Sequence, residues 1–334
     1  MKAVTVRSFG AVEDVRIEEV PDPVPGPGEV LIQVEAADTN YPDILVIEGR
    51  YQVKPPLPFS PGKAATGRVV ALGPGVHSIG LGDRVAAQVE YGAFAERLRA
   101  PASTCFSVPA SISSVDAAAL GLTYQTAWFA LTDRAGFKPP ESVLVLGAAG
   151  GIGVSCLQLA KALGSRVVIG ATRGTAKAET VRAAGADHIV DLSAPNLRDT
   201  LRDEIRSLTG DGVDIVLDPV GGQATDAALR ALAWRGRLVI IGFAAGEIPI
   251  IRANYLLVKN ISVSGLQWSD YRDRTPDAVA DAQAQIFNFC ARGQFKPIVS
   301  KVLPLEGFAE ALAVLRAGTV EGKIVLDLTG QASG

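Results

Sequence analysis

The sequence predicts an α/β protein that combines a β-rich domain with a doubly wound parallel sheet. Two features predict this class. The first 120 residues contain short apolar runs separated by Gly and Pro, whereas from about residue 122 β-branched runs alternate with helical patterns. A chain of 334 residues is also longer than one small core requires, so we expect two domains.

The first half is predicted to form an irregular, partly barrel-like β domain. The segments PDPVPGPGEV and KPPLPFSPG cannot be helix interiors, because proline lacks the amide donor and clashes with the preceding turn. Strands are expected at 2–6, 29–36, 67–71 and 84–89.

The second half is predicted to form the parallel sheet. Continuous apolar runs such as VLVL and VDIVLD indicate strands that are covered on both faces. The expected strands are 143–146, 166–170, 188–190, 213–218, 237–241 and 260–265, and the expected helices are 152–163, 175–184, 196–208 and 223–232. We expect the segment IPIIRANYLLVKN to lead to the last strand without a plain helix.

The end of the chain is predicted to return to the first domain. Helices are expected at 276–292 and 305–317, followed by a strand at 322–328. The predicted domains are therefore 1–121, then 122–266, with 267–334 rejoining the first.

Composition excludes several classes of function. A net charge of −3 gives no electrostatic reason to expect a nucleic-acid partner. The N-terminus MKAVTVRSFG does not look like a secretory signal, and no run of about 18 apolar residues is present, so we expect a cytoplasmic protein without a membrane span. The three cysteines and two histidines lie at no metal-ligand spacing, and we expect no metal site.

The stretch VLVLGAAGGIG, residues 143–153, predicts a dinucleotide site. An apolar strand enters a glycine-rich turn and a helix follows, so the helix N-terminus offers amides and partial positive charge to a pyrophosphate. Ala148 replaces one glycine of the usual Rossmann pattern, and the remaining spacing is GxxGxxG. The predicted contacts are Gly150, Gly151, Ile152 and Gly153.

The next strand predicts which dinucleotide binds. An NAD site usually carries an acidic residue about 20 residues after the turn, which accepts hydrogen bonds from the ribose. Here the segment SRVVIGATRGTAKA contains no acid but offers Arg173 and Lys177, which suit a 2′-phosphate. NADP is the inference; the alternative is that both are ordinary solvated charges.

Several motifs together resemble a known family. GAAGGIG, the preceding AALGLTYQTAWFAL, PGPGEVLIQVEAADTNYPD, PPLPFSPG and LDPVGG look like zinc-independent medium-chain dehydrogenases/reductases. The chain is most similar to the NADPH:quinone oxidoreductase (zeta-crystallin-like) group. The resemblance implies a GroES-like catalytic domain, a Rossmann domain, a cleft between them and a homodimer.

The resemblance also bears on zinc. Zinc-using members carry a cysteine near position 40 and a His-Glu pair after the PxxPG-type turn, where this chain has Asn40 and Lys63-Ala64. This chain also lacks the four-cysteine lobe that those members insert after about residue 90, because its segment YGAFAERLRAPAS continues without an insertion. We therefore expect metal-free chemistry.

The resemblance implies roles for three residues of the first domain. Asn40 would face the nicotinamide and the substrate, and Asp43 would orient its neighbours. Tyr51 would line the quinone pocket and could donate a hydrogen bond to the substrate oxygen. Leu45 replaces a second tyrosine of the relatives, which makes the pocket more apolar.

Lys63 has two interpretations. It could act as an electrophile or proton donor if it points into the cleft. Alternatively, it faces solvent or pairs with a carboxylate.

The remaining predicted cofactor contacts come mostly from the resemblance. Gly242 and Phe243 follow the fifth strand, where the cofactor crosses the carboxyl edge of an open sheet. Leu192 replaces a tyrosine that relatives place near the 2′-phosphate, which leaves more of that contact to Arg173. By resemblance, Thr123 lies beside the nicotinamide, Leu266 and Trp268 form its rim, and Lys323 is a basic contact.

The predicted function is NADPH-dependent, metal-free hydride transfer to quinones or α,β-unsaturated carbonyls. The enzymatic alternative is an enoyl-thioester reductase. An alternative of another class is a single-stranded RNA-binding or structural zeta-crystallin-like protein, against which the acidic net charge argues.

Overall fold

The computed structural model describes residues 1–330 and confirms the predicted α/β class. The chain divides into two compact units. Unit 1 consists of Met1–Leu122 together with the chain from Arg272 onward, and unit 2 is Thr123–Tyr271. The last four residues of the predicted segment 267–334 lie outside the described residues.

The elements of the described chain are as follows. The strands are β1 (Lys2–Thr5), β2 (Arg16–Glu19), β3 (Glu29–Asp38), β4 (Ala64–Leu72), β5 (Arg84–Gln88), β6 (Arg97–Pro101), β7 (Cys105–Ser107), β8 (Val143–Leu146), β9 (Val168–Thr172), β10 (His188–Asp191), β11 (Val213–Asp218), β12 (Leu232–Ile240), β13 (Ser262–Gly265), β14 (Val299–Pro304) and β15 (Lys323–Asp327). The α-helices are α1 (Tyr41–Ile47), α2 (Ser114–Ala119), α3 (Leu122–Phe129), α4 (Gly151–Ala162), α5 (Ala178–Ala183), α6 (Leu197–Thr209), α7 (Gly222–Ala231), α8 (Ala253–Lys259), α9 (Trp268–Arg274), α10 (Pro276–Ala291) and α11 (Phe308–Arg316).

Unit 1 is built on a mainly antiparallel sheet. Its order is β14-β15-β3-β4-β5-β7, and β6 also pairs with β3. The long strand β3 is central, and its buried Val30, Ile32 and Val34 belong to the apolar core of this unit. Because β15 pairs antiparallel with β3, the end of the chain delivers Lys323 beside the end of β3.

Unit 2 is built on a six-stranded sheet of order β10-β9-β8-β11-β12-β13, in which every strand pair is parallel. All four residues of β8 have no exposed surface, as expected for a strand covered on both faces. The strand order reverses between β8 and β11. Ligands of open α/β sheets bind at the carboxyl ends of the strands at such a switch point.

Some strand predictions need correction. The second strand of unit 2 is Val168–Thr172 rather than 166–170, and β12 begins at Leu232 rather than at 237. The added part of β12 is irregular: its pairing with β11 shifts register, and Arg235 has a φ of 62°. A regular apolar pattern could not indicate such a segment. The strand β14 (Val299–Pro304) lies between the two predicted helices of the C-terminal segment, where no strand was predicted.

Five helices lie where no helix was predicted. The helices α1 and α2 occur in the half interpreted as β-rich, α8 lies inside IPIIRANYLLVKN, and α3 and α9 lie in stretches for which no element was predicted. Local capping explains the first two. The backbone N–H of Asn40 donates to the Asp43 carboxylate before α1, and Ser113 Oγ accepts from the backbone N–H of Asp116 in α2. No residue of α8 is buried, so it lacks the amphipathic pattern that would identify it.

Within residues 1–330, we find no helix that combines the length and the apolar character required to cross a lipid bilayer.

Candidate functional site

The glycine turn connects β8 to α4 in a conformation that requires glycine. Gly147 has a φ of 61°, in the left-handed region that favours glycine. A Cβ on Gly153 would lie 2.3 Å from the carbonyl oxygen of Gly147, so only glycine allows α4 to pack this closely on the turn. The helix begins at Gly151, and no side chain caps it at Gly150. The helix start therefore presents backbone rather than side chain to a ligand.

A cleft of about 260 Å³ lies in unit 2, and Arg173 lines it. Its walls also include Leu192, Val220, Gly221 and Glu247. The turn that carries Arg173 is fixed by Asp191, whose Oδ1 accepts a hydrogen bond of 2.8 Å from the backbone N–H of Gly174. Arg173 is exposed, and none of the described carboxylates forms an ion pair with it. An unpaired guanidinium beside a cleft suits a phosphate.

These observations fit a phosphorylated dinucleotide. The glycine turn, Arg173 and the cleft all follow the carboxyl ends of parallel strands, which meet at one edge of the sheet. Lys177 lies half-buried just before α5. The turn would hold the pyrophosphate, and Arg173 would pair with a 2′-phosphate.

The same edge carries further predicted cofactor residues. Gly242 follows β12 with its N–H 3.3 Å from the Asp218 carbonyl oxygen, and the ring of Phe243 is 41% exposed. Leu266 follows β13 and is half-buried. Asp218 ends β11, and its carboxylate accepts the backbone N–H groups of Val220 and Gly221, which holds the turn that follows the strand.

Two further predicted cofactor residues of unit 2, Thr123 and Trp268, are buried, as is Gly153. Thr123 accepts a hydrogen bond of 3.1 Å from Ser155 Oγ of α4, which ties α3 to the helix that follows the glycine turn. The indole N–H of Trp268 donates to Gln125 Oε1 at 3.2 Å, and the ring is 6% exposed. The contacts of Trp268 are therefore those of a packed residue.

In unit 1, a buried polar network surrounds Asn40. Lys323 Nζ lies 2.8 Å from Asp38 Oδ1 in an ion pair and donates to Asn40 Oδ1 at 2.8 Å and to the Thr39 carbonyl at 3.1 Å. Asn40 Nδ2 in turn donates to Asp38 Oδ2 at 3.1 Å. Burial raises the pKa of Asp38 to about 6, against the opposing charge of Lys323.

Asp43 adjoins this network and lies at the start of α1. Its Oδ2 accepts the Asn40 backbone N–H at 2.7 Å, whereas its Oδ1 is buried and has no hydrogen-bond partner among residues 1–330. Burial raises the pKa of Asp43 to about 7, opposed by the Asn40 N–H and by Lys63. The orienting role predicted for Asp43 is compatible with these contacts.

Lys63 is buried and paired with a carboxylate, the second of its two interpretations. Its Nζ lies 2.5 Å from Glu90 Oε2, and Arg272 lies 2.8 Å from the other oxygen of Glu90. Burial alone would raise the pKa of Glu90, but Lys63 and Arg272 together lower it. Lys63 Nζ also lies 4.4 Å from the centroid of the Tyr51 ring, a cation–π contact.

The residues present do not fit a zinc ion. In the described part of the chain, no three His, Cys, Asp or Glu side chains are placed to hold a metal. At position 63, where the family resemblance implies a histidine in zinc-using members, the Lys63 ammonium forms an ion pair with Glu90, and an ammonium has no lone pair to donate to a metal.

The structure divides the predicted site residues between the two units. Unit 1 brings together Asn40, Asp43, Tyr51, Lys63 and Lys323. Unit 2 holds the other predicted cofactor contacts.

Sequence reasoning missed Asp38 and Glu90, which pair with the two buried lysines. Asp38 could have been noticed, because it is an acid that ends an apolar strand. No local pattern identifies Glu90, because its partner is 27 residues away.

Comparisons with known proteins agree with this arrangement. Residues 26–110 match the family described as "Alcohol dehydrogenase GroES-like domain", and residues 151–284 match "Zinc-binding dehydrogenase". Quinone oxidoreductase-like protein 2 of Mus musculus is 36% identical over 318 residues, which cover 95% of this chain and 89% of that protein.

Solved structures are similar over nearly the whole chain. A mycobacterial protein complexed with NADPH has a TM-score of 0.90 at 33% identity, with 98% of this chain and 100% of that chain covered. The Escherichia coli quinone oxidoreductase complexed with NADPH has a TM-score of 0.89 at 28% identity, with the same coverage of both chains. These similarities confirm the predicted GroES-like and Rossmann folds.

Proposed function

The chain belongs to the medium-chain dehydrogenase/reductase family, and from this premise we propose that it reduces quinones or α,β-unsaturated carbonyl compounds without a metal ion. It is an NADPH-dependent oxidoreductase. The finer statement, the substrate class, is supported by the relatives named quinone oxidoreductase and by the polar groups of unit 1.

Binding of NADPH is supported by residues of unit 2. The glycine turn at 147–153 offers amides to the pyrophosphate, and Arg173 offers an unpaired cation to the 2′-phosphate. Glu247 in the same cleft would repel a phosphate placed beside it, so the phosphate is expected on the Arg173 side. Bound NADPH supplies a hydride from the nicotinamide C4.

One observation carries the substrate proposal: a neutral amide is buried where zinc-using relatives carry a ligand. Asn40 Nδ2 makes one hydrogen bond, to Asp38, and its second N–H has no acceptor among the described residues. This N–H can donate to a substrate oxygen and stabilise the negative charge that develops there. A carbonyl oxygen conjugated with a C=C bond is such a group.

Tyr51 is the proposed second donor. Its hydroxyl has no hydrogen-bond partner within residues 1–330, and its ring packs against the Lys63 ammonium. A phenol held by its ring keeps the hydroxyl available to donate to the substrate. Lys63 then supports Tyr51 rather than reacting itself, because Glu90 occupies its ammonium.

The experiment is a screen of NADPH oxidation with quinones, enones and enoyl-CoA thioesters. We expect turnover with quinones or enones, and at least a tenfold loss of kcat in Asn40→Ala, by analogy with the removal of one oxyanion donor. Activity should survive prolonged chelation. Turnover with enoyl-CoA alone would favour the thioester reductase instead, and activity that is lost on chelation and restored by zinc would refute metal-free chemistry.

We also propose that the protein is a cytoplasmic homodimer. The strand β13 ends the sheet of unit 2, so one of its edges is unpaired, and Leu257 and Val258 of the preceding α8 are each 78% exposed. The three cysteines are free, as is usual in a reducing compartment.

A further inference from the structure

Lys323 is a buried cation whose contacts all lie within unit 1. Its side chain is 5% exposed, and three oxygens surround the ammonium, from Asp38, Thr39 and Asn40. None belongs to the unit that carries the glycine turn. The ammonium of Lys323 is therefore already paired inside unit 1, unlike a cation that is available to bind a ligand phosphate.

The contacts around Asn40 allow only one orientation of its amide. Lys323 donates to Oδ1, and Nδ2 donates to Asp38 Oδ2. If the amide were flipped, its NH₂ group would face the ammonium and its oxygen would face a carboxylate, so both contacts would become repulsive. The ion pair of Lys323 and Asp38 therefore fixes where the remaining N–H of Asn40 points.

The backbone holds Lys323 at this place. Its N–H donates to the Ile298 carbonyl at 2.9 Å, and Thr39 donates both its N–H and its hydroxyl to the Ile324 carbonyl. The preceding Gly322 has a φ of 66°, and a Cβ there would lie 2.2 Å from the Ile298 oxygen. Backbone hydrogen bonds and close packing therefore hold the start of β15 beside the segment that carries Asn40.

We propose that Lys323 is a positioning residue that acts through Asn40: together with Asp38 it holds the amide so that its second N–H can donate to the substrate oxygen. This inference rests on the proposed function of Asn40. It gives Lys323 a role other than the cofactor contact that the family resemblance implies.

The first test separates positioning from cofactor binding. In Lys323→Met, which keeps an unbranched apolar chain but removes the ammonium, we expect kcat to fall at least tenfold, because the amide is no longer fixed. The Kd of NADPH, measured by fluorescence titration, should change less than twofold, and so should the KM of NADPH. A Kd that rises tenfold or more would overturn the proposal and make Lys323 a cofactor contact.

The second test asks whether Lys323 acts through Asn40. In an Asn40→Ala background, Lys323→Met should lower kcat by less than twofold, because the group that it positions is already absent. A purely structural role, or an independent catalytic role, predicts the same fold-loss in both backgrounds. Equal losses would therefore refute positioning.

Removal of a buried cation can prevent folding, because it leaves Asp38 without its counter-ion. The double variant Asp38→Asn/Lys323→Met removes both charges together and leaves both orientations of the Asn40 amide open. We expect it to show the same loss of kcat with unchanged NADPH affinity. Wild-type kcat in this folded variant would contradict the proposal.

Failure of the proposed function can be distinguished from failure of this inference about Lys323. A wild-type protein that reduces none of the screened electrophiles refutes that function, and crystal structures then test the positioning by themselves. A displaced or disordered Asn40 side chain in the variants would support the inference. An unchanged Asn40 side chain in both variants would overturn it.

Discussion

At the residue scale, Arg173 and Lys323 are both predicted cofactor contacts, Arg173 from the acid-free second strand and Lys323 from the family resemblance, yet their surroundings differ. Arg173 is exposed beside a cleft with no ion-pair partner among the described carboxylates. Lys323 is enclosed by oxygens of its own unit. An unpaired exposed cation is available to a ligand phosphate, whereas an enclosed one is already neutralised.

The first prediction concerns Arg173. In Arg173→Ala, we expect the Kd of NADPH to rise about 10- to 100-fold, the loss of one charge-assisted contact, while the Kd of NADH changes less than twofold. Both are measured by fluorescence titration. Arg182→Ala, which removes an exposed arginine from α5, is the control and should leave both constants unchanged. Equal affinities of the wild-type protein for NADPH and NADH would refute the 2′-phosphate contact.

The second prediction concerns Asp43 and pH. Its folded pKa of about 7 lies above the ordinary value of about 3.9, so between these values the folded protein binds a proton that the unfolded chain has released. The contribution of this proton to the free energy of unfolding is fully present below about pH 4 and is lost as the pH rises towards 7.

We therefore expect the free energy of unfolding of Asp43→Asn, relative to wild type, to increase by up to about 1.4 kcal/mol per pH unit between pH 5 and 7. This difference between variant and wild type should level off above about pH 7. Lys63, Lys323 and Asp38 are the charges that act on Asp43, and all are retained in the variant. Urea unfolding at several pH values measures the difference. Asp281→Asn, an exposed position of α10, is the control, and a pH-independent difference for Asp43→Asn would contradict the assignment.

At the element scale, the glycine turn offers a matched pair of substitutions. A Cβ at Gly153 would lie 2.3 Å from the Gly147 oxygen and 2.6 Å from Ala148, whereas a Cβ at Gly150 would lie 3.6 Å from the Gly147 oxygen. We expect Gly153→Ala to destabilise the protein by at least about 1–3 kcal/mol through overpacking. Gly150→Ala should lower the free energy of unfolding by about 1 kcal/mol or less. Urea unfolding without cofactor measures both, and similar costs would show that the turn is not packed as described.

Sequence patterns predicted the strands of unit 2 better than those of unit 1. The strands at 143–146 and 213–218 have the predicted bounds, because fully buried parallel strands leave continuous apolar runs. The helix α1 was missed although Pro42 and Asp43 lie in its first turn, which is a recognisable helix start.

The site was predictable where chemistry follows from local sequence. The glycine spacing and the acid-free second strand directly indicated the residues of unit 2 that suit NADPH. The pairs Lys323–Asp38 and Lys63–Glu90 were not predictable, because their partners lie 285 and 27 positions apart and meet only through strand pairing. Long-range ion pairs depend on register, which sequence periodicity does not supply.

At the scale of the whole molecule, the sheet of unit 2 has an open strand edge at β13, next to the exposed apolar side chains of α8. The strand β13 pairs only with β12, and no residue of α8 is buried. Trp234, 72% exposed, lies near this edge, because the N–H of its neighbour Arg235 donates to the Asn260 carbonyl that follows α8. An open strand edge beside exposed apolar side chains favours pairing with a second copy.

The last prediction therefore concerns assembly. We expect light scattering to give the wild-type protein twice the mass of one chain, and Leu257→Glu/Val258→Glu to give the mass of one chain. The reason is that a two-fold interface repeats every substitution, so four carboxylates would meet in an apolar contact. NADPH affinity should be retained, because neither residue lines the cleft beside Arg173. Val24→Glu, at a 78% exposed position of unit 1, is the control and should leave the mass unchanged. A monomeric wild-type protein, or a dimeric double variant, would exclude this edge as the interface.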